Sequence, residues 1–352
     1  MYKKLSRALF ILDPERAHSL SLMGLKSGMM KMVPANVDPI LNCNRFGIDF
    51  PNPIGLSAGF DKNGDVLDAL LGLGFGFVEA GSVTPRPQDG NPKPRIFRLE
   101  EDKAVINRLG FNNRGLQAAV KNFAEPRRNG VVGANLGANK TSDDRIADYV
   151  KGLAALSPYA DYVTVNISSP NTPGLRALQG RRELEDLLGR LMDARSSLPR
   201  EREQKIPLLL KIAPDLTGED KEDIAAVAKL SKLDGLIVSN TTITRPDNLK
   251  SAHKKETGGL SGKPLKKLAT EALRDMYRLT DGNIPLVGVG GISDAEDAYD
   301  RIRAGASLIQ FYSAMVYEGP YLAYHMARGL AKKLREDGYK SIDEAVGAKA
   351  KT

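Results

Sequence analysis

Tyr162-Val163-Thr164-Val165-Asn166-Ile167-Ser168-Ser169-Pro170-Asn171-Thr172-Pro173-Gly174 is a short apolar run that passes directly into a polar loop. The run reads as a buried β-strand, and the Pro and Gly beyond it open a loop. A strand end is stiff, so the side chains it carries are aimed. Here it carries Asn166 and Asn171, whose amides both donate and accept, and the hydroxyls of Ser168, Ser169 and Thr172. Taken alone, the segment is equally a polar turn closed by Asx and Ser/Thr hydrogen bonds. The choice rests on what surrounds it.

The same unit recurs along the chain. Short apolar runs at 53–58, 75–80, 131–136, 162–167, 207–213, 235–238, 285–289 and 307–311 each end in Gly, Pro or a polar cluster. Helical patterns fill 64–73, 143–156, 181–197, 218–232, 264–279 and 294–304. Eight strand-then-helix units predict an α/β fold, the (β/α)8 TIM barrel. Continuous rather than alternating apolar runs fit parallel strands covered on both faces. Two long insertions interrupt the rhythm. One follows the second strand and contains Pro85, Pro87, Pro92, Pro94 and then 107–114; the other spans 242–263. Long loops in compact domains carry function. Residues 37–52 read as a linker with a small strand or hairpin, and the charged tail after about residue 335 as a last helix fraying to solvent.

Composition narrows the function. The net charge of +8 over 352 residues is dispersed, and neither an RNP aromatic motif nor a zinc-finger pattern is present, which argues against nucleic acid. A single cysteine, Cys43, excludes an internal disulfide and a thiolate metal cluster and fits a reducing compartment. The three histidines lie far apart, so no metal site is predicted. No run of 18 apolar residues predicts a transmembrane helix, and no signal-peptide pattern is seen.

Residues 1–36 form a unit apart from 37–352. Leu5, Ala8, Leu9 and Leu12 share one helical face, and Asp13-Pro14 ends that helix and caps the next. Leu22, Leu25, Met29 and Met32 then repeat at helical spacing, and the segment carries a net charge of +4. A basic amphipathic pair is either a membrane-surface element or a helical hairpin packed on the main domain.

In a TIM barrel the active site sits at the C-terminal ends of the strands. Gly288-Val289-Gly290-Gly291 precedes a helix that Ser293 or Asp294 would cap, a pattern suited to a phosphate, and Gly258-Gly259-Leu260-Ser261-Gly262 adds backbone N–H groups. Lys62 and Lys211 point into the mouth; Lys211, flanked by Leu209, Leu210 and Ile212, needs either a developing negative charge or a buried acid. Asn107, Asn135, Asn166, Asn171 and Asn240 converge there, and amides read a planar ligand such as a pyrimidine. Such a site, without metal or histidine, suits a phosphorylated redox cofactor.

Several motifs in this order and spacing resemble the quinone-dependent, membrane-associated class of the dihydroorotate dehydrogenase family. They are Ala58-Gly59-Phe60-Asp61-Lys62, Thr84-Pro85-Arg86-Pro87-Gln88, Asn107-Arg108-Leu109-Gly110-Phe111-Asn112-Asn113, the Asn166–Gly174 loop, Lys211-Ile212-Ala213-Pro214-Asp215, Ser239-Asn240-Thr241-Thr242 and the two glycine clusters. The resemblance implies FMN in the barrel mouth and oxidation of dihydroorotate to orotate in pyrimidine biosynthesis, with electrons passing to ubiquinone or menaquinone. It implies Ser169 as the base. Lys62, Asn107, Arg108, Leu109, Gly110, Phe111, Asn166, Asn171, Asn240 and Thr241 would hold the substrate. Ala58, Gly59, Phe60, Asp61, Lys62, Ser82, Asn135, Asn166, Lys211, Ser239, Gly262, Gly291, Tyr312 and Ser313 would hold FMN, with Lys211 stabilising charge on the reduced ring. Residues 1–36 would sit at the cytoplasmic face of the cell membrane as a peripheral anchor and form a quinone tunnel, with His18 and Arg98 beside it. The soluble class uses Cys where Ser169 stands, and the only Cys here precedes the barrel.

One departure is visible. Ala138 stands where the family usually has Lys, and Lys140 is the nearest cation in sequence. Three rival readings remain at this level: the same barrel with another dihydropyrimidine or with fumarate or NAD as acceptor, a flavin-free lyase using Lys211 as a Schiff base, and a non-catalytic binder of phosphorylated ligands.

Overall fold

The computed structural model describes residues 10–126, 130–199 and 205–350. The predicted membrane helix built on Leu5, Ala8 and Leu9 lies outside them. In chain order the strands are β1 (Cys43–Arg45), β2 (Ile48–Phe50), β3 (Ile54–Leu56), β4 (Phe77–Val83), β5 (Ile96–Leu99), β6 (Ala104–Asn107), β7 (Val131–Leu136), β8 (Tyr162–Asn166), β9 (Leu208–Ile212), β10 (Gly235–Val238), β11 (Gly259–Gly262), β12 (Leu286–Val289) and β13 (Ala306–Phe311). Strands β3, β4, β7, β8, β9, β10, β12 and β13 close into a parallel barrel in that order. These are the eight runs read from the sequence. The six anticipated helices are present as Leu67–Leu71, Arg145–Leu156, Arg181–Ser196, Gly218–Leu230, Lys266–Leu279 and Ala295–Arg303.

Residues lining these strands are buried on both faces, which is why they are apolar without alternation. The barrel floor is closed by rings. A Cβ on Gly55 would meet the Phe77 ring at 2.3 Å, and one on Gly133 the Tyr162 ring at 2.1 Å. Only glycine leaves room for these aromatics at the axis. The β1–β2 hairpin caps the same end, with Phe50 edge-on to Phe77 at 5.2 Å.

The two long insertions fold onto each other. β5 and β6 pair from the first, and β11 from the second joins β6 to make a three-stranded antiparallel sheet beside the mouth. This pairing spans about 150 residues and left no local signal. The first insertion also carries a helix, Gly115–Ala124, that the Pro-rich pattern did not announce.

Two expectations are corrected. The helix Pro14–Lys26 stops before Met29 and Met32, because Gly28 takes a left-handed φ of +73° after the Ser27 cap. The C-terminal tail does not fray: Ile342 and Ala345 are buried, and the N–H groups of Gly347 and Lys349 donate to the carbonyls of Ile302 and Arg303.

Candidate active site

A cavity of about 520 Å3 runs from the C-terminal strand ends to the N-terminal helix. Ala58, Gly59, Phe60 and Lys62 line it from beyond β3, Ser82 from β4, and Asn107, Leu109, Gly110 and Phe111 from beyond β6. Asn166, Ser169 and Asn171 enter from β8, Lys211 from β9, Ser239, Asn240 and Thr241 from β10, Gly262 from β11, Gly291 from β12, and Tyr312 and Ser313 from β13. His18 and Arg98 line its outer reach.

Three anticipated residues stand behind the wall. Arg108 is drawn away to Glu256, 2.7 Å from Nη1 to Oε2, and its guanidinium lies over the Phe97 ring. Asp61 is buried and accepts backbone N–H groups of Asn63, Asp65 and Val66, so it shapes the β3 loop. Asn135 is wholly buried one hydrogen bond deeper than Ser82.

The lysines differ in their surroundings. Lys211 is buried and donates to Ser57 Oγ at 3.2 Å; among the described residues no carboxylate is in ion-pair contact with it. Burial pushes its pKa down, and the charge of Glu79 in the barrel interior opposes that shift. The buried acid that the sequence left open thus exists as a neighbour rather than a contact. At Lys62, desolvation lowers the pKa to about 8, with Glu15 of the N-terminal helix opposing it. The same helix brings His18, which stacks edge-on to Phe60 at 5.0 Å; Phe60 in turn meets Tyr312 at 5.5 Å. Desolvation first, and Lys62 second, hold the His18 pKa down to about 4, so the ring is neutral at pH 7. Its Nε2 is buried without a hydrogen-bond partner.

The helix is placed by its cap and one clamp. Asp13 accepts the N–H groups of Glu15 and Arg16, both at 3.1 Å, with Pro14 at the first position. Glu15 then meets the buried Arg95 at 2.8 Å, and Arg95 Nη1 donates to the carbonyls of Asp89 and Asn91 in the first insertion. Asn91 donates to the carbonyls of Arg108 and Asn171. Nothing in the sequence flagged Arg95 or its pairing with Glu15, because neither lies at the C-terminal end of a barrel strand.

In the opening loop Ser169 Oγ accepts the Asn171 N–H at 3.3 Å, while Ser168 turns inward to Asn166 Oδ1 at 2.9 Å. Of the two serines, Ser169 lines the cavity. At the β12 end, Gly290 and Gly291 take φ of +104° and +70°, and a Cβ on Gly291 would meet the Lys266 backbone at 2.4 Å. Asp294 caps the helix Ala295–Arg303 as anticipated. Beneath the glycines the wholly buried Arg301 donates to the Val289 and Gly290 carbonyls, at 3.1 and 2.7 Å. Those carbonyls are thereby turned into the protein, a role the sequence did not reveal. Ala138 is wholly buried and does not line the cavity, and the exposed Lys140 reaches Asn91 at 3.4 Å. Lys140 therefore does not stand in for the missing cation, contrary to what its sequence position suggested.

Residues 40–334 match the family model for dihydroorotate dehydrogenase. The chain belongs to the dihydroorotate dehydrogenase family. Within that family it falls in the quinone-dependent class. It is 58% identical to a dihydroorotate dehydrogenase (quinone) of Rhodospirillum rubrum, over 96% of this chain and 91% of that one. It is 55% identical to the corresponding protein of Erythrobacter litoralis, over 99% of both. A solved DHODH of Eimeria tenella in complex with ferulenol superposes with a TM-score of 0.92 at 41% identity, covering 97% of this chain and 96% of that chain. The family's members are flavin-dependent oxidoreductases, and the matched residues span the closed barrel, with the helix Pro14–Lys26 preceding them in this chain.

Proposed function

We propose that this flavoenzyme binds FMN, oxidises dihydroorotate to orotate with Ser169 as the base, and passes the electrons to a membrane quinone. The observation that carries the reading is the continuity of one cavity. Ser169 and the amides, Lys211 and the glycine cradle, and His18 and Arg98 all line it.

The donor set fits a phosphorylated flavin. Gly290, Gly291 and Gly262 would offer backbone N–H groups to the phosphate. Ala58, Gly59, Phe60, Ser82, Ser239, Tyr312 and Ser313 would wall the ring system, and Lys211 has ammonium donors left over after its bond to Ser57. Bound FMN supplies the hydride acceptor. Lys211 supplies positive charge where negative charge accumulates, without being quenched by a contacting carboxylate. Lys62, Asn107, Asn166, Asn171, Asn240 and Thr241 orient the planar substrate and its carboxylate. Ser169 Oγ would take the C5 proton as its own hydroxyl proton passes to a water in the cavity, since a serine is too weak a base unaided. Phe111 and the 107–113 segment keep water out.

At the outer end the His18 ring is hydrogen-bonded to the Phe60 backbone, which leaves the unpaired Nε2 of the neutral ring an acceptor, a partner for the hydroxyl of a quinol. Ile11, Leu20, Met23, Met29 and Met32 are exposed on the N-terminal segment. We assign residues 1–36 to reversible docking on the cytoplasmic face of the cell membrane and residues 37–352 to the catalytic barrel. No helix among the described residues is long and apolar enough to cross a bilayer. Binding to anionic vesicles should weaken as salt rises; salt-independent partition would contradict the electrostatic part.

The deciding experiment is anaerobic addition of dihydroorotate to the purified protein while the visible flavin band is followed, then addition of a quinone. Bleaching followed by recovery is expected. Bleaching without recovery would remove the quinone assignment. A colourless protein trapped by borohydride would replace the whole reading with Schiff-base chemistry at Lys211.

A further inference from the structure

Glu79 sits in the middle of β4, 1% exposed, inside a strand that is otherwise apolar or small. A carboxylate at a barrel axis is costly unless it is fully satisfied. Its Oε1 accepts from Asn135 Nδ2 at 2.7 Å. Its Oε2 accepts from Tyr162 Oη at 3.0 Å, Thr164 Oγ1 at 3.1 Å and Gln310 Nε2 at 3.0 Å. The last bond leaves Gln310 Oε1 buried without a partner. The core thus tolerates an orphaned carbonyl in order to give Glu79 its fourth donor.

The consequence runs outward to the cavity. A carboxylate only accepts, so Asn135 must turn its NH2 toward Glu79 and its Oδ1 away. That Oδ1 accepts the Ser82 hydroxyl. With its proton committed, Ser82 Oγ accepts from Asn166 Nδ2 at 3.0 Å. The Asn166 Oδ1 therefore faces the other way, where it accepts from Ser168 Oγ at 2.9 Å and Asn240 Nδ2 at 3.3 Å. Asn240 Oδ1 is left to take the Thr241 N–H at 2.7 Å. Amides at strand ends can present either edge. In the loops, the Ser168 N–H on Asn166 Oδ1 at 3.3 Å and the Thr241 N–H on Asn240 Oδ1 favour the edges seen, and the acceptor-only group on the axis holds the same choice from the barrel side through Asn135 and Ser82.

We propose that Glu79 is a positioning residue for the substrate. Through Asn135 and Ser82 it locks from the barrel side the donor and acceptor edges that Asn166 and Asn240 offer to the dihydropyrimidine ring. The inference rests on the substrate reading given above. It assigns Glu79 no contact with the ligand.

The test is the equilibrium affinity for orotate, measured by calorimetry on flavin-loaded protein, with flavin content read from the visible band. Glu79→Gln places an NH2 among four donors and, turned toward Asn135, sets the relay against the backbone N–H groups of Ser168 and Thr241. It should weaken orotate binding about tenfold, with flavin content kept. Ser82→Ala cuts the same relay nearer the ligand and should cost a similar factor. Because both act through one chain of bonds, the double variant should be no worse than the worse single one. Orotate affinity within about twofold of the parent in Glu79→Gln, or multiplied losses in the double variant, would overturn the proposal. If Glu79→Gln does not fold, Ser82→Ala alone decides: unchanged orotate affinity in a flavin-loaded Ser82→Ala protein overturns it. A shifted flavin potential with unchanged orotate affinity would also overturn it, since Glu79 would then act only through its charge on Lys211. Failure of the parent protein itself to bind orotate would instead sink the substrate reading on which the relay rests, and the relay with it.

Discussion

The barrel interior and the helix laid across its mouth are held by different means. Inside the barrel, polar groups are pinned by several partners at once: Glu79 takes four hydrogen bonds, and Asn166 joins Ser82, Ser168 and Asn240. The helix Pro14–Lys26 rests on the Asp13 cap, the Glu15–Arg95 clamp, the stacking of His18 on Phe60, and an Arg98 bond to the Leu12 carbonyl. Its buried residues are Ala17 and Leu25, while Leu20 and Met23 are exposed. Chemistry that needs atoms placed to a few tenths of an ångström belongs where bonds are redundant. Docking on a lipid surface needs exposed apolar groups and a hinge of few contacts.

The sharpest way to break this division is Ser169→Ala. Turnover should fall by about 10^2 to 10^4, with flavin and orotate still bound, and stopped-flow bleaching of the flavin band would show it. Normal bleaching would move the base away from the β8 loop. Lys211→Met comes next: flavin reduction should slow by roughly a hundredfold if the buried ammonium stabilises accumulating charge. Removing residues 1–26 addresses the other region. Quinone-driven recovery should drop by about tenfold or more while bleaching by dihydroorotate changes by less than about threefold. Equal loss in both half-reactions would mean that the helix supports the substrate site as well.

A pH titration of orotate binding probes the junction between the two regions. Orotate is an anion and favours protonated Lys62, whose pKa in the free protein is depressed to about 8. Below that value the charge is already present and affinity should be flat; above it affinity should fall by about tenfold per pH unit. The smallest effect is Asp13→Ala, which removes the cap of the N-terminal helix at a cost of about 1 kcal/mol. Severalfold weaker quinone saturation with unchanged orotate affinity is expected, and steady-state kinetics with varied quinone would measure it.

Much of the site was legible because a parallel barrel sends every strand end to one face. Once the eight runs were counted, Lys62, Ser169, Lys211, Asn240 and Gly291 had to meet. Arg108 misled because its sequence position is right but Glu256, in the other insertion, offers it an ion pair. Asp61 belongs to a motif and Asn135 stands at a strand end, yet both serve the wall rather than the cavity. Glu79 was readable in principle as a charge inside an apolar strand. Arg301 and Arg95 were not, because their partners are backbone carbonyls and a helix residue brought near only by folding.

The sequence by itself determined the barrel, the face on which chemistry occurs, the helix cap at Asp13-Pro14 and the family. Each of these follows from local periodicity, turn chemistry or motif order, which act over a few residues. Only the tertiary structure decided the β5–β6–β11 sheet, the docking of the C-terminal tail, the clamp between Glu15 and Arg95, and the direction in which each amide faces. These depend on hydrogen bonds and ion pairs between residues tens to hundreds of positions apart, and such pairings exist only after the chain has closed on itself.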